Sequence, residues 1–593
     1  MKTVLARQPS AAPEASLRAL RAASTAALIA AHFQRYNDEF RRITRRAAQH
    51  FGARDWAAAQ RDAVARIELY EQCVSRCVQT VADKLRGRAD DPVTWETLRA
   101  EYEQCIRRES DGDFYRTFFN SVCRDLFGTV GVNPRVEFSE PGASRAFGAV
   151  PIRVYPVSAS LSAGLRDLLE DLPFRGALRD LEASVAAIQA QIELHAAAHG
   201  APPGAAGPAA ATPDFVEMIE PVFYRGTRAF LVGRLIGNGS LTPLAIALRN
   251  DADGIAVDAV ILERDEIQSL FGFARSYFHV DLPVVGAAVS FLRSFMPSKP
   301  VDELYTILGR AKQGKTERYF ALRRHLEHST DQFTHAAGER GLVMIVFTLP
   351  SHDLVFKVIR DRFGPPKTSS RAEVMERYQF VFRHDRAGRM VDAQEFRRLR
   401  LPRARFDATL AEELLGQAAD SCRADGGDLI IEHCYIERRL RPLNLYLRES
   451  DPLAAEAAVI DYGNALKDLA ATNLFPGDLL LKNFGVTRNG RVIFYDYDEI
   501  ALVSDCSFRD LPTPSGDAEE TSAEPWFYVA PNDVFPEQWL TFFSMSGPLR
   551  AVFTRHHADL LTAAWWRELQ AERQRGQLRE VLPYTPISCT SRD

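Results

Sequence analysis

The chain has 593 residues, 46% of them hydrophobic, which is too long for one core and apolar enough to fill two or more. Its 73 Lys and Arg set against 78 Asp and Glu leave a net charge of −5, and no basic block stands apart from compensating acids, so neither nucleic acid nor an anionic membrane is expected as a partner. The weakly polar stretch Ala22–Phe33 is too short to span a bilayer and runs into Gln34, Arg35, Asp38 and Glu39 without a convincing cleavage site, which reads as a helix in a cytoplasmic protein. The eight cysteines are scattered, and Cys73 and Cys77 lack a matching second pair for a metal, so buried or free thiols are expected.

From about Ala15 to Arg124 apolar residues recur at helical spacing, as in Ile67, Tyr70, Val74, Cys77 and Val81, with Asp90-Asp91-Pro92 ending one helix and opening the next. A mixed stretch runs to about Pro156, followed by helices near Leu161–Leu172 and Leu178–Ala198. The Pro/Gly/Ala run His199–Pro213 has no core-forming residues and reads as a flexible loop. Strand-rich segments follow at Pro221–Leu235 and Leu241–Leu248, then amphipathic helices at Asp265–Phe278 and Val301–Leu326. No acid, base or metal cluster of recognisable spacing is expected in the first 330 residues, which points to a regulatory or partner-binding role for them.

From Gly341 the texture changes. The strands LVMIVFTLP and LVFKVIRD, a helical RAEVMERYQFVF, the strand LIIEHCYIE and a helix or turn in RRLRPLNLYL follow in order. Beyond Asp498 come a Pro/Asp/Glu-rich segment, Pro512–Pro525, and helical patterns at Glu537–Phe543 and Leu549–Glu572.

The chemistry concentrates in Phe475–Glu499, FPGDLLLKNFGVTRNGRVIFYDYDE. Asp478 and Asn483 stand in the Asp-x-x-x-x-Asn interval of a kinase catalytic loop, and Asp496 follows Asn483 by thirteen residues at the end of an apolar strand. An Asp so placed accepts the proton of an attacking hydroxyl, an Asn amide oxygen ligates a hard cation, and a later Asp bridges Mg²⁺ on the β- and γ-phosphates. Asp498 and Asp392, the latter following the turn-like HDRAGRMV, offer further acids able to orient water for hydrolysis. Residues two apart on a strand share a face, so Asp496 and Asp498 are expected to point the same way.

Two phosphate loops compete. Gly309–Thr316 is a literal G-x-x-x-x-G-K-T, which would make a P-loop NTPase, but the preceding VDELYTIL is helix-periodic where a P-loop needs a buried strand, so Lys315 reads as a helix-end or surface lysine. The second is Ala336, Ala337, Gly338, Glu339, Arg340, Gly341 and Leu342, followed by a strand and then Lys357 between Val355-Phe356 and Val358-Ile359. Glycines let a turn bring backbone amides to phosphate oxygens, and a lysine in an apolar strand needs a counter-charge, either phosphate or a carboxylate on the next helix, Glu373 or Glu376. A pseudokinase scaffold is the non-enzyme alternative, weakened because Lys357, Asp478, Asn483 and Asp496 occur together.

On the segments 336–367, 435–446 (YIERRLRPLNLY) and 475–500, the chain resembles the bacterial isocitrate dehydrogenase kinase/phosphatase family over most of its length. Pro476-Gly477 replaces the His-Arg of ordinary protein kinases, Asp496-Tyr497-Asp498 replaces Asp-Phe-Gly, and no Ala-Pro-Glu follows, departures that fit this family. The resemblance implies an α+β chain: an N-terminal, mainly helical regulatory domain, 1–330, and a C-terminal bilobal protein-kinase-like domain, 331–593, with lobes of about 331–437 and 438–593. It implies ATP held by the 336–342 loop and Lys357, adenine near Tyr435–Arg438, Mg²⁺ or Mn²⁺ at Asn483 and Asp496, and Asp392 as an acid important for dephosphorylation. Isocitrate dehydrogenase is the implied protein substrate, phosphorylated on serine to divert isocitrate into the glyoxylate bypass and dephosphorylated at the same site. AMP and ADP are the implied effectors, and a homodimer is an admissible assembly.

Overall fold

The computed structural model describes residues 11–142, 149–199, 213–237, 239–272, 277–365, 367, 369–384, 386–512, 527–577 and 579–587. Residues 200–212 of the expected loop over His199–Pro213, residues 513–525 of the acidic segment Pro512–Pro525, and Cys589 lie outside them. The described residues divide into two compact units, one built from the chain up to Phe271 with Tyr277–Arg324 and Tyr584 onward, the other from Gly272 and His325–Pro583.

The first unit opens on four helices, α1 (Ala11–Ala53), α2 (Trp56–Leu85), α3 (Pro92–Ile106) and α4 (Gly112–Phe127). Their inward stripes repeat every three to four residues: Ile29, Phe33, Tyr36, Phe40 and Ile43 on α1 meet Tyr70, Val74, Cys77 and Val81 on α2. The predicted break at Asp90-Asp91-Pro92 is a helix start. Asp91 caps the amides of Val93 and Thr94, and Pro92 takes the first turn, where its missing N–H costs nothing. Strand β1 (Ile152–Pro156) and helices α5 (Leu161–Glu170) and α6 (Leu181–His199) follow, then β2 (Phe215–Ile219), β3 (Phe223–Arg225), β4 (Arg228–Gly237), β5 (Ser240–Asp251) and β6 (Gly254–Ile261). These six strands form an antiparallel sheet in the order β1-β2-β4-β5-β6, with β3 paired to β4. The unit is therefore more mixed than a mainly helical reading of the sequence expects. Strands β3, β4 and β5 fall in or across the segments expected to be strand-rich, Pro221–Leu235 and Leu241–Leu248, whereas β1, β2 and β6 lie outside them.

Helices α7 (Arg264–Leu270), α8 (Val285–Phe295), α9 (Val301–Ile307) and α10 (Ala311–His328) complete the unit's described chain apart from its last residues. The helix expected over Asp265–Phe278 ends at Leu270. That expected over Val301–Leu326 is two helices, because Gly309 takes φ +84° between them. Tyr584 donates to Asp258 at 2.9 Å and is buried within this same unit.

The second unit begins with β7 (Thr334–His335), β8 (Met344–Leu349) and β9 (His352–Ile359), then α11 (Arg371–His384), β10 (Gln394–Pro402), α12 (Ala408–Gln417), β11 (Cys422–Asp425) and β12 (Asp428–Arg438). The sheet runs β10-β12-β9-β8-β7, with β11 on β12. Helix α11 buries Val374, Tyr378 and Val381 against it, and Tyr378 stacks on Tyr435 of β12 at 4.1 Å between ring centroids. Strand β13 (Arg441–Pro442), α13 (Leu443–Glu449), α14 (Pro452–Ala471), β14 (Leu474–Phe475), β15 (Phe484–Val486) and β16 (Val492–Phe494) follow, and helices over Gly547–His557 and Ala563–Gln574 close the unit. Its core joins Tyr462, Leu466 and Leu469 of α14 to Phe484, Phe494, Phe553 and Trp566. No helix among the described residues is long and apolar enough to cross a membrane.

Candidate active site

The thirteen-residue interval between Asn483 and Asp496 is the length of a hairpin. Strands β15 and β16 pair antiparallel with Phe484 opposite Phe494, the turn Thr487–Arg491 joins them, and the residues just outside the pair meet at the open end. There the Tyr495 amide donates to the Asn483 carbonyl at 3.1 Å, so Asn483 and Asp496 leave the same end of one hairpin. On the other side, Asn483 Nδ2 donates to the Asp478 carbonyl at 3.3 Å, and an Asp478 carboxylate oxygen accepts the Leu480 amide at 2.9 Å. The Tyr462 hydroxyl on α14 anchors this turn from beneath, donating to the Leu479 carbonyl at 2.6 Å. Gly477 holds φ +78°, and a Cβ there would lie 2.2 Å from the Glu499 carbonyl oxygen. That is why the residue before Asp478 is glycine where ordinary kinases carry arginine.

Asp496 and Asp498 lie beyond β16, which ends at Phe494, so strand alternation is not what aligns them. What joins them is electrostatic, the charge of one carboxylate acting on the other. Burial first, and the Asp498 charge second, push the Asp496 carboxyl up to about 7 against the pull of Lys357 and Lys367. Lys367 donates to Asp498 at 3.0 Å and to Glu499 at 2.5 Å. Its burial works against the ammonium, yet these two carboxylates hold its pKa well above the usual lysine range.

Lys357 on β9 points into the same site. Its ammonium donates to the Tyr495 carbonyl at 2.7 Å and pairs with Glu437 at 2.7 Å, both side chains almost fully buried. This corrects the expectation that a carboxylate of α11 would serve: Glu373 and Glu376 are exposed, and Glu373 instead caps its own helix at Ser370. In the β12–β9 register Tyr435 lies opposite Lys357, so Glu437, two residues on, is its diagonal neighbour on the same face.

The loop from Ala336 to Leu342 joins β7 to β8, with Glu339, Arg340 and Leu342 exposed. Gly338 needs its φ of +118°, and a Cβ on Gly341 would sit 2.9 Å from the Met344 carbonyl. Glu339 pairs with Lys482 at 3.0 Å, which ties this loop to the turn between Asp478 and Asn483.

Asp392 is buried, its Oδ2 accepting from Gln394 Nε2 at 2.7 Å. Its segment lies along β16: the Val391 amide donates to the Phe494 carbonyl at 3.2 Å, and the Tyr497 hydroxyl donates to the Val391 carbonyl at 2.7 Å. Arg389 fixes that segment from below, reaching Asp461 and Asp468 of α14 at 2.7 Å each. The geometry thus gathers Lys357, Asp478, Asn483, Asp496 and Asp498 at one site, the 336–342 loop joined to it through Glu339, and seats Asp392 on the backbone next to it. Glu437 and Lys367 are the members that sequence reasoning missed. A cavity of about 380 Å³ opens beside Asp478, walled by Phe475, Phe535, Trp539 and Phe543.

The competing P-loop fails on geometry. Its first glycine follows α9, and Gly314 and Lys315 lie inside α10, where a Cβ on Gly314 would be 2.5 Å from the Asp302 carbonyl. Lys315 therefore sits mid-helix, and no amide cradle forms around it.

Comparison with known proteins defines the class first. The family model described as isocitrate dehydrogenase kinase/phosphatase (AceK) kinase domain matches residues 331–586, and that of the regulatory domain matches 26–330. Proteins named isocitrate dehydrogenase kinase/phosphatase are similar to the chain throughout. One from Anaeromyxobacter sp. (strain Fw109-5) is 48% identical across 95% of this chain and 97% of its own length. Another from Xanthomonas campestris pv. campestris (strain 8004) is 46% identical across 93% and 95%, and one from Burkholderia vietnamiensis is 38% identical across 93% and 91%. The chain belongs to the isocitrate dehydrogenase kinase/phosphatase family.

Proposed function

We propose that this protein is a bifunctional enzyme that transfers the γ-phosphoryl group of ATP to a serine of isocitrate dehydrogenase and, at the same site, removes it, setting flux between the tricarboxylic acid cycle and the glyoxylate bypass. The observation that carries this reading is the convergence of Asp478, Asn483 and Asp496 with the Lys357–Glu437 pair on the hairpin end. Asp478 accepts the serine proton, with the adjoining cavity as the approach for the substrate segment. Lys357, already charge-balanced, places the phosphates beneath the Ala336–Leu342 loop. Asp392 orients water for hydrolysis.

The donor set suits a hard divalent cation. Asn483 commits Nδ2 to the Asp478 carbonyl and so presents Oδ1, and the Asp496–Asp498 pair concentrates negative charge where only two lysines oppose it. Mg²⁺ or Mn²⁺ bound by Asn483, Asp496 and Asp498 would neutralise charge on the phosphate oxygens. The reading takes residues 1–330 as the regulatory domain that senses AMP and ADP, and 331–437 and 438–593 as the two lobes of a kinase-like domain.

Paired substitutions test it with isocitrate dehydrogenase and γ-labelled ATP. Lys357→Ala and Asp478→Asn each lower transfer on the order of a hundredfold or more, whereas Lys315→Ala changes it less than about twofold. Loss with Lys315→Ala and retention with Lys357→Ala would sink the assignment.

A further inference from the structure

Far along the sequence from the phosphoryl-transfer residues, α6 ends in His195-Ala-Ala-Ala-His199, and the i, i+4 spacing puts both imidazoles on one face. Glu263, just before α7, points a carboxylate at them: Oε1 lies 3.0 Å from His195 Nδ1 and 3.3 Å from His199 Nε2, and the rings lie 4.2 Å apart. Among the described residues this is the one group of three His, Cys, Asp or Glu whose ligand atoms all fall within 4.8 Å of each other.

The orientation of His199 is informative. Its Nδ1 contacts the His195 carbonyl at 3.0 Å. A carbonyl only accepts, so Nδ1 carries the proton and, in the neutral ring, the Nε2 lone pair faces the Glu263 carboxylate. A metal ion between the three atoms would accept the His199 Nε2 lone pair and the Glu263 Oε1 charge together. Tetrahedral Zn²⁺ with bonds of about 2.1 Å separates its ligand atoms by about 3.4 Å, close to the spacings found.

We propose that His195 Nδ1, His199 Nε2 and Glu263 Oε1 form a second metal site, in the first unit, for a borderline divalent ion of the Zn²⁺, Co²⁺ or Ni²⁺ type, with a fourth position open to water or ligand. Two imidazoles and one carboxylate suit such ions, whereas the all-oxygen set at Asp496 suits Mg²⁺. The site clips the C-terminal end of α6 to the turn between β6 and α7, so occupancy stabilises the first unit and its effect on catalysis is indirect.

The test is a titration of full-length, chelator-stripped protein with Zn²⁺ alone and with Co²⁺ alone, without nucleotide, following stoichiometry, thermal unfolding and the visible Co²⁺ absorption. An Asp496→Asn background removes the active-site contribution. Expected are one equivalent bound in that background, a rise in unfolding temperature, and at least tenfold weaker binding in both His199→Gln and Glu263→Gln, whose side chains are surface-exposed and whose circular dichroism should match the parent. Equal affinity in parent and variants, or no equivalent bound in the Asp496→Asn protein, overturns the proposal. Binding lost in Glu263→Gln but kept in both His199→Gln and His195→Gln also overturns it, since the imidazoles would then not be ligands. None of these readouts depends on phosphoryl transfer.

Discussion

Lys357 finds its counter-charge on the adjacent strand of its own sheet: Glu437 of β12 meets it at 2.7 Å, and both are almost completely buried. Ordinary kinases take this carboxylate from a helix, where helix movement makes or breaks the pair. Here the pair is built into a strand register and is present whenever the sheet is folded. Removing one partner of a buried ion pair leaves the other charge uncompensated, at a cost of about 3 kcal/mol. Glu437→Gln is therefore expected to lower both the unfolding temperature and kcat/KM for ATP, the latter tenfold or more. Glu373→Gln and Glu376→Gln, on the exposed face of α11, should stay within twofold of the parent. A silent Glu437→Gln in a labelled-ATP assay contradicts the pairing.

Gly477 governs the turn that presents Asp478. With φ at +78° and the Glu499 carbonyl 2.2 Å from where a Cβ would stand, no side chain fits without moving backbone. Gly477→Ala should lower kcat at least tenfold while ATP affinity changes little, because Lys357 and the Ala336–Leu342 loop are untouched. The readout is the split between kcat and ATP KM. A parent-like kcat contradicts a strict requirement at this position.

Asp496 gives a pH signature. Its carboxyl is pushed up to about 7, chiefly by burial and then by Asp498, so the folded chain keeps a proton that the unfolded chain releases near the ordinary carboxylate value. Stability contributed by this group therefore falls as pH rises from about 4 to 7 and stays lowered above 7. Nucleotide-free Asp496→Asn should unfold at a higher temperature than the parent at pH 8 and at nearly the same temperature at pH 5. Affinity for the metal–nucleotide complex in the parent should rise from pH 6 to 8 as the carboxylate ionises. A difference in unfolding temperature that is equal at both pH values contradicts the assignment.

Asp392 is the residue on which the proposed division between the two activities can be tested. It is buried beside the β16 backbone and accepts from Gln394. Asp392→Ala should abolish dephosphorylation and leave transfer from ATP within a few-fold of the parent. Equal loss of both activities ends the division of labour.

The sequence made part of this site legible because that part is local. Asp478, Asn483 and Asp496 lie on one turn and one hairpin, so their spacing is nearly their geometry. Glu437 was hidden because its pairing depends on which residue of β12 faces Lys357, a register that no local pattern encodes. Lys367 was hidden for a similar reason, its carboxylates lying 131 and 132 residues away in the chain. Among the strands, β10 escaped notice because its outward positions are arginines (Arg397, Arg398 and Arg400), whereas β4 and β5 fall where the apolar, β-branched runs predict strands. The break in the helix over Val301–Leu326 was signalled by Gly309 itself, which reads equally as the first glycine of a phosphate loop.

The central claim is that one site both adds and removes the phosphate. Its most direct test combines the protein, isocitrate dehydrogenase, Mg²⁺ and γ-labelled ATP, followed by dilution with unlabelled ADP. Label should enter the dehydrogenase and then leave it only while adenine nucleotide is present, and Asp478→Asn should block entry. Nucleotide binding without any incorporation into the dehydrogenase would contradict the account.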